Sequence, residues 1–245
     1  MHPHIRRPTP YAERSEQRRR LPRDAHRLYD LVAFDMEGCL TDDPTVWELM
    51  HRKVGTWDSH GRPYWDRYRA GKLDYDTFAR LDVAAWAGAP VQLLESASAE
   101  VPLMHGAPEL LRRLRAEGIR VAIISNGITH VARRFRALGV GHIYANRVVT
   151  SRGRLTGVIR ICVPYAGKGR VLRALAERFG VRRERIAAVG DSQSDIALFR
   201  AAGLRIAFRP EHPSVSAAAT FTVDDPDVLA RLLPGPFFRP RTWAR

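Results

Sequence analysis

The sequence predicts an α/β fold: a mainly parallel sheet flanked by helices, with a small helical module placed after the first strand. Three observations carry this expectation. Apolar runs at 31–34, 121–124 and 186–189 each end in small polar or acidic residues, as buried parallel strands do when they deliver side chains to one crevice. Amphipathic stretches of helical spacing separate the runs. Between the first and second runs lies a block, 44–103, in which four of the five tryptophans are concentrated: Trp47, Trp57, Trp65 and Trp86.

A chain of 245 residues suits one compact domain with a modest insertion. Residues 28–43 and 104–235 are expected to form the α/β core, 44–103 the helical module and 236–245 a tail. Residues 1–27 hold eight arginines, three acidic residues and four prolines with few apolar side chains, so this basic arm should be disordered. No apolar stretch suited to a secretory signal or a membrane span of about 20 residues is seen. Glu13, Glu16 and Asp24 argue against a mitochondrial presequence, and a cytoplasmic location is expected.

Along the chain, strand 31–34 is followed in the module by helices at 45–54, 65–70, 75–86 and 91–98. Aromatic side chains gathered in so short a block are expected to form mostly its core. A helix at 107–117 stops at Gly118, and strand 119–124 follows. Then come a helix at 128–138, a hairpin of 147–150 with 155–161, and a helix at 169–179. Strand 186–189, helix 196–202, strand 205–208 and a last helix at 228–233 close the domain. Cys39 and Cys162 are too few and too distant for a disulfide framework, and Cys39 is expected to be a packing residue.

Four short stretches could supply the parts of a magnesium-dependent phosphate-transfer site: Asp35-Met36-Glu37-Gly38, Ser125-Asn126-Gly127, Lys168, and Gly190-Asp191-Ser192-Gln193-Ser194-Asp195. Each is ordinary alone. The first reads as a turn, the second as a loop with a helix cap, the third as a solvated cation and the fourth as a helix start. Their joint occurrence, in this order and mostly after apolar strands, points to a shared site. Composition adds weight to Lys168, because the chain has three lysines against thirty-seven arginines. A lysine against that background suggests a compact point charge where a guanidinium fork would not serve.

With these stretches the chain resembles the haloacid dehalogenase superfamily of phosphohydrolases, in particular its phosphoserine phosphatase-like branch. The similarity runs from about Leu31 to Leu233 and includes Gly71-Lys72-Leu73, Ala145-Asn146-Arg147 and Ala197-Leu198-Phe199. It implies a Rossmann-like parallel sheet flanked by helices, with the module acting as a helical cap over the crevice. The activity implied is hydrolysis of a phosphomonoester through an aspartyl-phosphate, with Mg2+ as cofactor.

In that chemistry Asp35 would be the nucleophile, and Glu37 would protonate the leaving alcohol and later serve as base for water. The family more often has Asp where this chain has Glu37. A halide leaves without a proton, so the acid at Glu37 argues against dehalogenation. By the resemblance, the metal would be held by the Asp35 carboxylate, the Glu37 carbonyl and Asp191, with Asp195 a further ligand or an orienting residue. Ser125, Asn126 and Lys168, with backbone amides around Met36 and Glu37, would bind the phosphate.

The expected partner is a small-molecule phosphomonoester, with phosphoserine the first ester to name. Phosphoserine phosphatases typically bind the substrate ammonium with a Glu and its carboxylate with an Arg. Here those places fall on Pro44 and Asp82, so Tyr75, Arg80 and Asp82 are the candidate substrate-binding residues of the cap. Asp43 or Asp82 could take the ammonium instead, and Arg80 or Arg52 the carboxylate. A phosphotransferase or mutase with the same site is an alternative. A formal charge of +14 also raises a non-catalytic nucleic-acid-binding role for the basic arm, though arginine replaces lysine almost everywhere and no nucleic-acid motif accompanies it. No membrane partner is expected.

Overall fold

A computed structural model describes residues 28–233 of the chain. The basic arm expected at 1–27 and the tail expected at 236–245 lie outside the described residues.

Seven strands form one sheet in the order β4-β3-β2-β1-β5-β6-β7. They are β1 (Leu31–Phe34), β2 (Arg120–Ile128), β3 (His142–Ser151), β4 (Arg154–Arg160), β5 (Ile186–Gly190), β6 (Leu204–Phe208) and β7 (Phe221–Val223). All neighbours are parallel except β3 and β4, which form a hairpin. Residues of β1 alternate between the two faces: Val32 and Phe34 join one apolar cluster, Leu31 and Ala33 the other. The first cluster runs on into the helices after β1, taking in Met50, Phe78 and Trp86, so the sheet face and the insertion share one core.

Four helices, α1 (Val46–Val54), α2 (Arg62–Arg69), α3 (Tyr75–Ala85) and α4 (Val91–Glu100), make up the insertion after β1. Asp74 caps α3 by accepting a 2.8 Å hydrogen bond from the Thr77 amide, and Gly55 closes α1 in a left-handed conformation. The segments leading into and out of this insertion are tied together by Met104 N–H to Leu40 O at 2.9 Å and Asp42 N–H to Pro102 O at 3.0 Å. A second tie joins the insertion to the hairpin through Gly88 N–H to Leu155 O, Leu155 N–H to Ala89 O and Val91 N–H to Gly153 O.

The remaining helices are α5 (Ala107–Ala116), α6 (Thr129–Ala132), α7 (Lys168–Phe179), α8 (Ile196–Phe199), α9 (Pro213–Ala218) and α10 (Pro226–Leu232). The helix expected at 128–138 is a short α6 that tightens into a 3-10 turn at Arg133–Leu138. The helix expected at 65–70 begins earlier, at Arg62, and is preceded by a π-helical turn at Trp57–Gly61. β3 starts at His142, ahead of the expected hairpin, and pairs in parallel with β2 before turning. α9 and β7 have no counterpart among the expected elements.

Candidate active site

Register decides where the four stretches emerge. Phe34 lies opposite Ile123 of β2 and Val189 of β5, so the carboxyl ends of the three central strands stand at one level. Strand order reverses about β1, the position where open α/β sheets form their crevice. Asp35 and Asp191 therefore leave the sheet side by side, next to Ser125, which stays within β2 where the pairing with β3 shifts between Ile124 and Ile128.

Lys168, 1% exposed, bridges two of these segments. Its Nζ donates to Asp35 Oδ2 and to Asp195 Oδ1, each at 2.7 Å. Burial disfavours the ammonium, but Asp195 and Asp35 outweigh that effect and hold its pKa above the ordinary lysine value. The other oxygen of Asp35 accepts from the Met36 amide at 2.6 Å. Burial raises the Asp35 carboxyl to about 6 against the pull of Lys168.

One oxygen from each of Asp35, Asp191 and Asp195 lies within 4.8 Å of the others. Burial first, then Asp35 and Asp195, push the Asp191 carboxyl well above its ordinary value. Its side chain receives a long contact from the Cys39 thiol, Sγ to Oδ1 at 3.6 Å. Cys39 therefore does more than fill space, although burial holds its own pKa well up and keeps it a thiol. Gly38, at φ +78°, lets the turn pass close to Asp191; a Cβ there would sit 2.1 Å from Asp191 Oδ2. Three clustered carboxylates with one ammonium among them leave a deficit of positive charge that a hard divalent cation fits.

Asp195 is otherwise occupied. Its Oδ2 accepts from the Asp191 amide (3.2 Å), the Ser192 amide (3.0 Å) and the Ser192 hydroxyl (3.0 Å). Both of its oxygens are thus taken by the loop and by Lys168.

Glu37 faces the same cavity. Burial, then the nearby Asp35 charge, raise its carboxyl to about 7. Trp47 Nε1 donates to its Oε2 at 3.4 Å, while Oε1 is buried without a hydrogen-bond partner among the described residues.

Ser125 is buried, and its hydroxyl accepts from the Gly127 amide at 3.0 Å. The Asn126 side chain turns away from the crevice and donates to Val163 O at 2.9 Å. The Asn126 carbonyl accepts from both Tyr75 Oη and Asn146 Nδ2, each at 2.5 Å. Asn146 also accepts from the Cys162 and Val163 amides at 2.8 and 2.9 Å. It pins the loop after β4 to the end of β2, a role that no charge or spacing marks in the sequence.

Of the residues expected to bind substrate in the insertion, Tyr75 lines the catalytic cavity but spends its hydroxyl on Asn126. Arg80 is exposed and lines neither of the cavities at the site. Its place on α3 turns it to solvent, while Phe78, Ala79 and Asp82 turn inward. Asp82 is buried beside His51, with Oδ1 3.2 Å from His51 Nε2 but misaligned for a hydrogen bond. Burial raises Asp82 to about 6, opposed by His51. Asp82 lines a neighbouring cavity rather than the catalytic one.

Trp47, Trp65, Tyr68, Arg69, Tyr165 and Glu211 also line the catalytic cavity, and the four motifs do not point to them. Trp47 and Trp86 are buried in the aromatic core as expected, whereas Trp57 and Trp65 are only partly covered and wall the cavities. Glu211 arrives on the loop between β6 and α9.

A family model for haloacid dehalogenase-like hydrolases matches residues 32–200. A phosphoserine phosphatase of Halobacterium salinarum is 32% identical over 206 residues, covering 83% of this chain and 96% of that protein. One from Archaeoglobus fulgidus is 30% identical over 211 residues, 79% of this chain and 61% of that protein, so this chain spans less than two thirds of the latter's length. A solved substrate-bound phosphoserine phosphatase complex superposes with a TM-score of 0.73 at 28% identity, covering 82% of this chain and 95% of the other. A solved phospho-aspartyl intermediate analogue of phosphoserine phosphatase gives 0.72 at 28% identity, covering 80% and 94%. With the family model matched over most of the described residues and the carboxylates and lysine gathered at the sheet's carboxyl edge, the chain belongs to the haloacid dehalogenase-like hydrolases.

Proposed function

We propose that the protein is a magnesium-dependent phosphatase that hydrolyses a small phosphomonoester through a phosphate ester on Asp35. The observation that carries this reading is Lys168, buried and hydrogen-bonded to both Asp35 and Asp195 at 2.7 Å beside the Asp191 carboxylate. Asp35 attacks phosphorus, and the leaving alcohol takes its proton from Glu37. Held near 7 by burial and by Asp35, Glu37 keeps a proton available at neutral pH and can afterwards accept one from water. Its unpartnered Oε1 is the atom free to do so.

Lys168, the Ser125 hydroxyl and the amides that follow Asp35 and Ser125 meet the charge that builds on the phosphoryl oxygens. Asn126 contributes its backbone, since its side chain is bound to Val163 O. Asp35, Asp191 and the Glu37 carbonyl would hold Mg2+, which supplies charge neutralisation on the phosphoryl group. Asp195 holds Lys168 and the Asp191 loop in place, which its three loop hydrogen bonds support. The α1–α4 insertion serves as the cap, and its aromatic wall excludes water while the phosphoryl group moves.

The shared name of the relatives makes phosphoserine the reference ester. Cys39 and Cys162, both free thiols, suit the cytoplasm. A panel of phosphorylated metabolites tests the reading by phosphate release with Mg2+ and with the metal chelated. Release should require the metal and fall at least about a thousandfold in Asp35→Asn. Release that survives this substitution overturns the proposal.

A further inference from the structure

The larger of the two cavities at the site, about 500 Å3, belongs to the insertion, and the catalytic one, about 170 Å3, opens beside it. They share Asp43, Thr45, Trp47, Trp65, Arg69 and Phe78 as common wall. The larger space thus adjoins the one that holds Asp35 and Glu37, with Trp47 and Phe78 bordering both.

The chemistry of that space is one-sided. Trp47, Trp57, Trp65 and Phe78 give it an aromatic lining, and Asp43, Glu48 and Asp82 give it three carboxylates. Arg69 is the one arginine or lysine among the lining residues of either cavity. Its exposed guanidinium lies 5.7 Å over the Trp65 ring and 3.9 Å from Glu211, at the margin of the space rather than within it. Glu48 is paired with Arg52 at 2.7 Å. This leaves Asp43, exposed at the rim, and Asp82, 1% exposed, whose Oδ1 is buried without a hydrogen-bond partner among the described residues. The titratable group in contact with Asp82 is His51, whose Nδ1 is spent on Thr56 at 2.7 Å and whose Nε2 lies 3.2 Å from Asp82 Oδ1, a buried ion pair only when the imidazole is protonated. A carboxylate-bearing tail would meet like charge here, whereas aromatic faces with carboxylates attract a cation.

We propose that this cavity receives the cationic end of the substrate, and that the preferred ester is the phosphate of an amino alcohol bearing an ammonium or trimethylammonium group and no carboxylate. The inference rests on the phosphatase reading and replaces its reference ester. With the full chain and Mg2+, kcat/KM for phosphocholine or phosphoethanolamine should exceed that for phosphoserine at least about tenfold. Asp82→Asn should narrow that ratio at least about fivefold, through a higher KM for the cationic ester. Phosphoserine turned over as well as both cationic esters, or a ratio unchanged by Asp82→Asn, overturns the inference.

Hydrolysis of p-nitrophenyl phosphate, lost in Asp35→Asn, tests the phosphatase reading separately, because that ester carries no cation. If Asp82→Asn does not fold, the unmodified chain still decides. Choline chloride should change tryptophan emission saturably, since Trp47, Trp57 and Trp65 line the cavity, and sodium chloride at equal concentration should not. Identical responses to the two salts overturn the inference.

Discussion

At the scale of single residues, the site depends on side chains buried with all their partners in place. Asn146, fully buried, satisfies the Asn126 carbonyl and the Cys162 and Val163 amides at once. Asn146→Ala should cost about 1–3 kcal/mol, read as a fall in melting temperature, because it leaves the buried Val163 amide without its acceptor and takes one of two donors from the Asn126 carbonyl. Lys168→Arg keeps the charge but brings a broader fork into a pocket that leaves lysine 1% exposed. Its kcat should fall at least about a hundredfold, and an unchanged kcat would show that charge alone suffices. Asp82, raised to about 6 by burial, keeps its proton in the folded chain where the unfolded chain, near 3.8, has released it. The stability it contributes is present below the lower value and is lost as pH rises through the higher one. Asp82→Asn does not titrate, so its melting temperature should gain on the unmodified chain between about pH 4 and 7. A difference constant with pH would refute that account.

At the scale of elements, the strands that carry the chemistry were the most legible part of the sequence. Runs such as 31–34 and 186–189 are apolar on both faces and end abruptly in carboxylates, a signal that does not need tertiary context. Asp35, Glu37, Asp191 and Asp195 stood out from it as candidates, and Lys168 by composition and by its company. The wall of the cavity did not. Trp65, Arg69 and Glu211 meet only because the insertion folds over the sheet edge, and helix periodicity says nothing about which neighbour an exposed arginine will find. Arg80 was misplaced for the same reason, since a small change in helix register exchanges an inward side chain for an outward one. β7, three residues long, and the 3-10 turn that replaces the end of the expected 128–138 helix carry too little pattern to read. One element contact is testable directly. α7 begins at Lys168, and the next residue, Gly169, lies where a Cβ would come 2.2 Å from Ala197 O. Gly169→Ala should push α7 off α8, costing about 1–3 kcal/mol, and should lower kcat with Mg2+ saturating, because Lys168 moves with its helix.

At the scale of the whole molecule, buried carboxylates outnumber the ammonium among them, so the fold carries electrostatic strain that a cation relieves. Millimolar Mg2+ should raise the melting temperature, and Asp191→Asn should reduce that rise; an equal rise in both would place the ion elsewhere. The ties between insertion and core are unequal around the crevice. Backbone hydrogen bonds staple 88–91 to the hairpin on one side. On the cavity rim stand Arg69 and Glu211, 3.9 Å apart and each more than half exposed, so screening weakens them readily. The insertion is therefore bound like a book along its spine, with the loose pages at the Arg69 margin. If alcohol and phosphate leave past that margin, moderate salt, by loosening its clasp, should quicken product departure while leaving amide exchange at Gly88 and Leu155 slow.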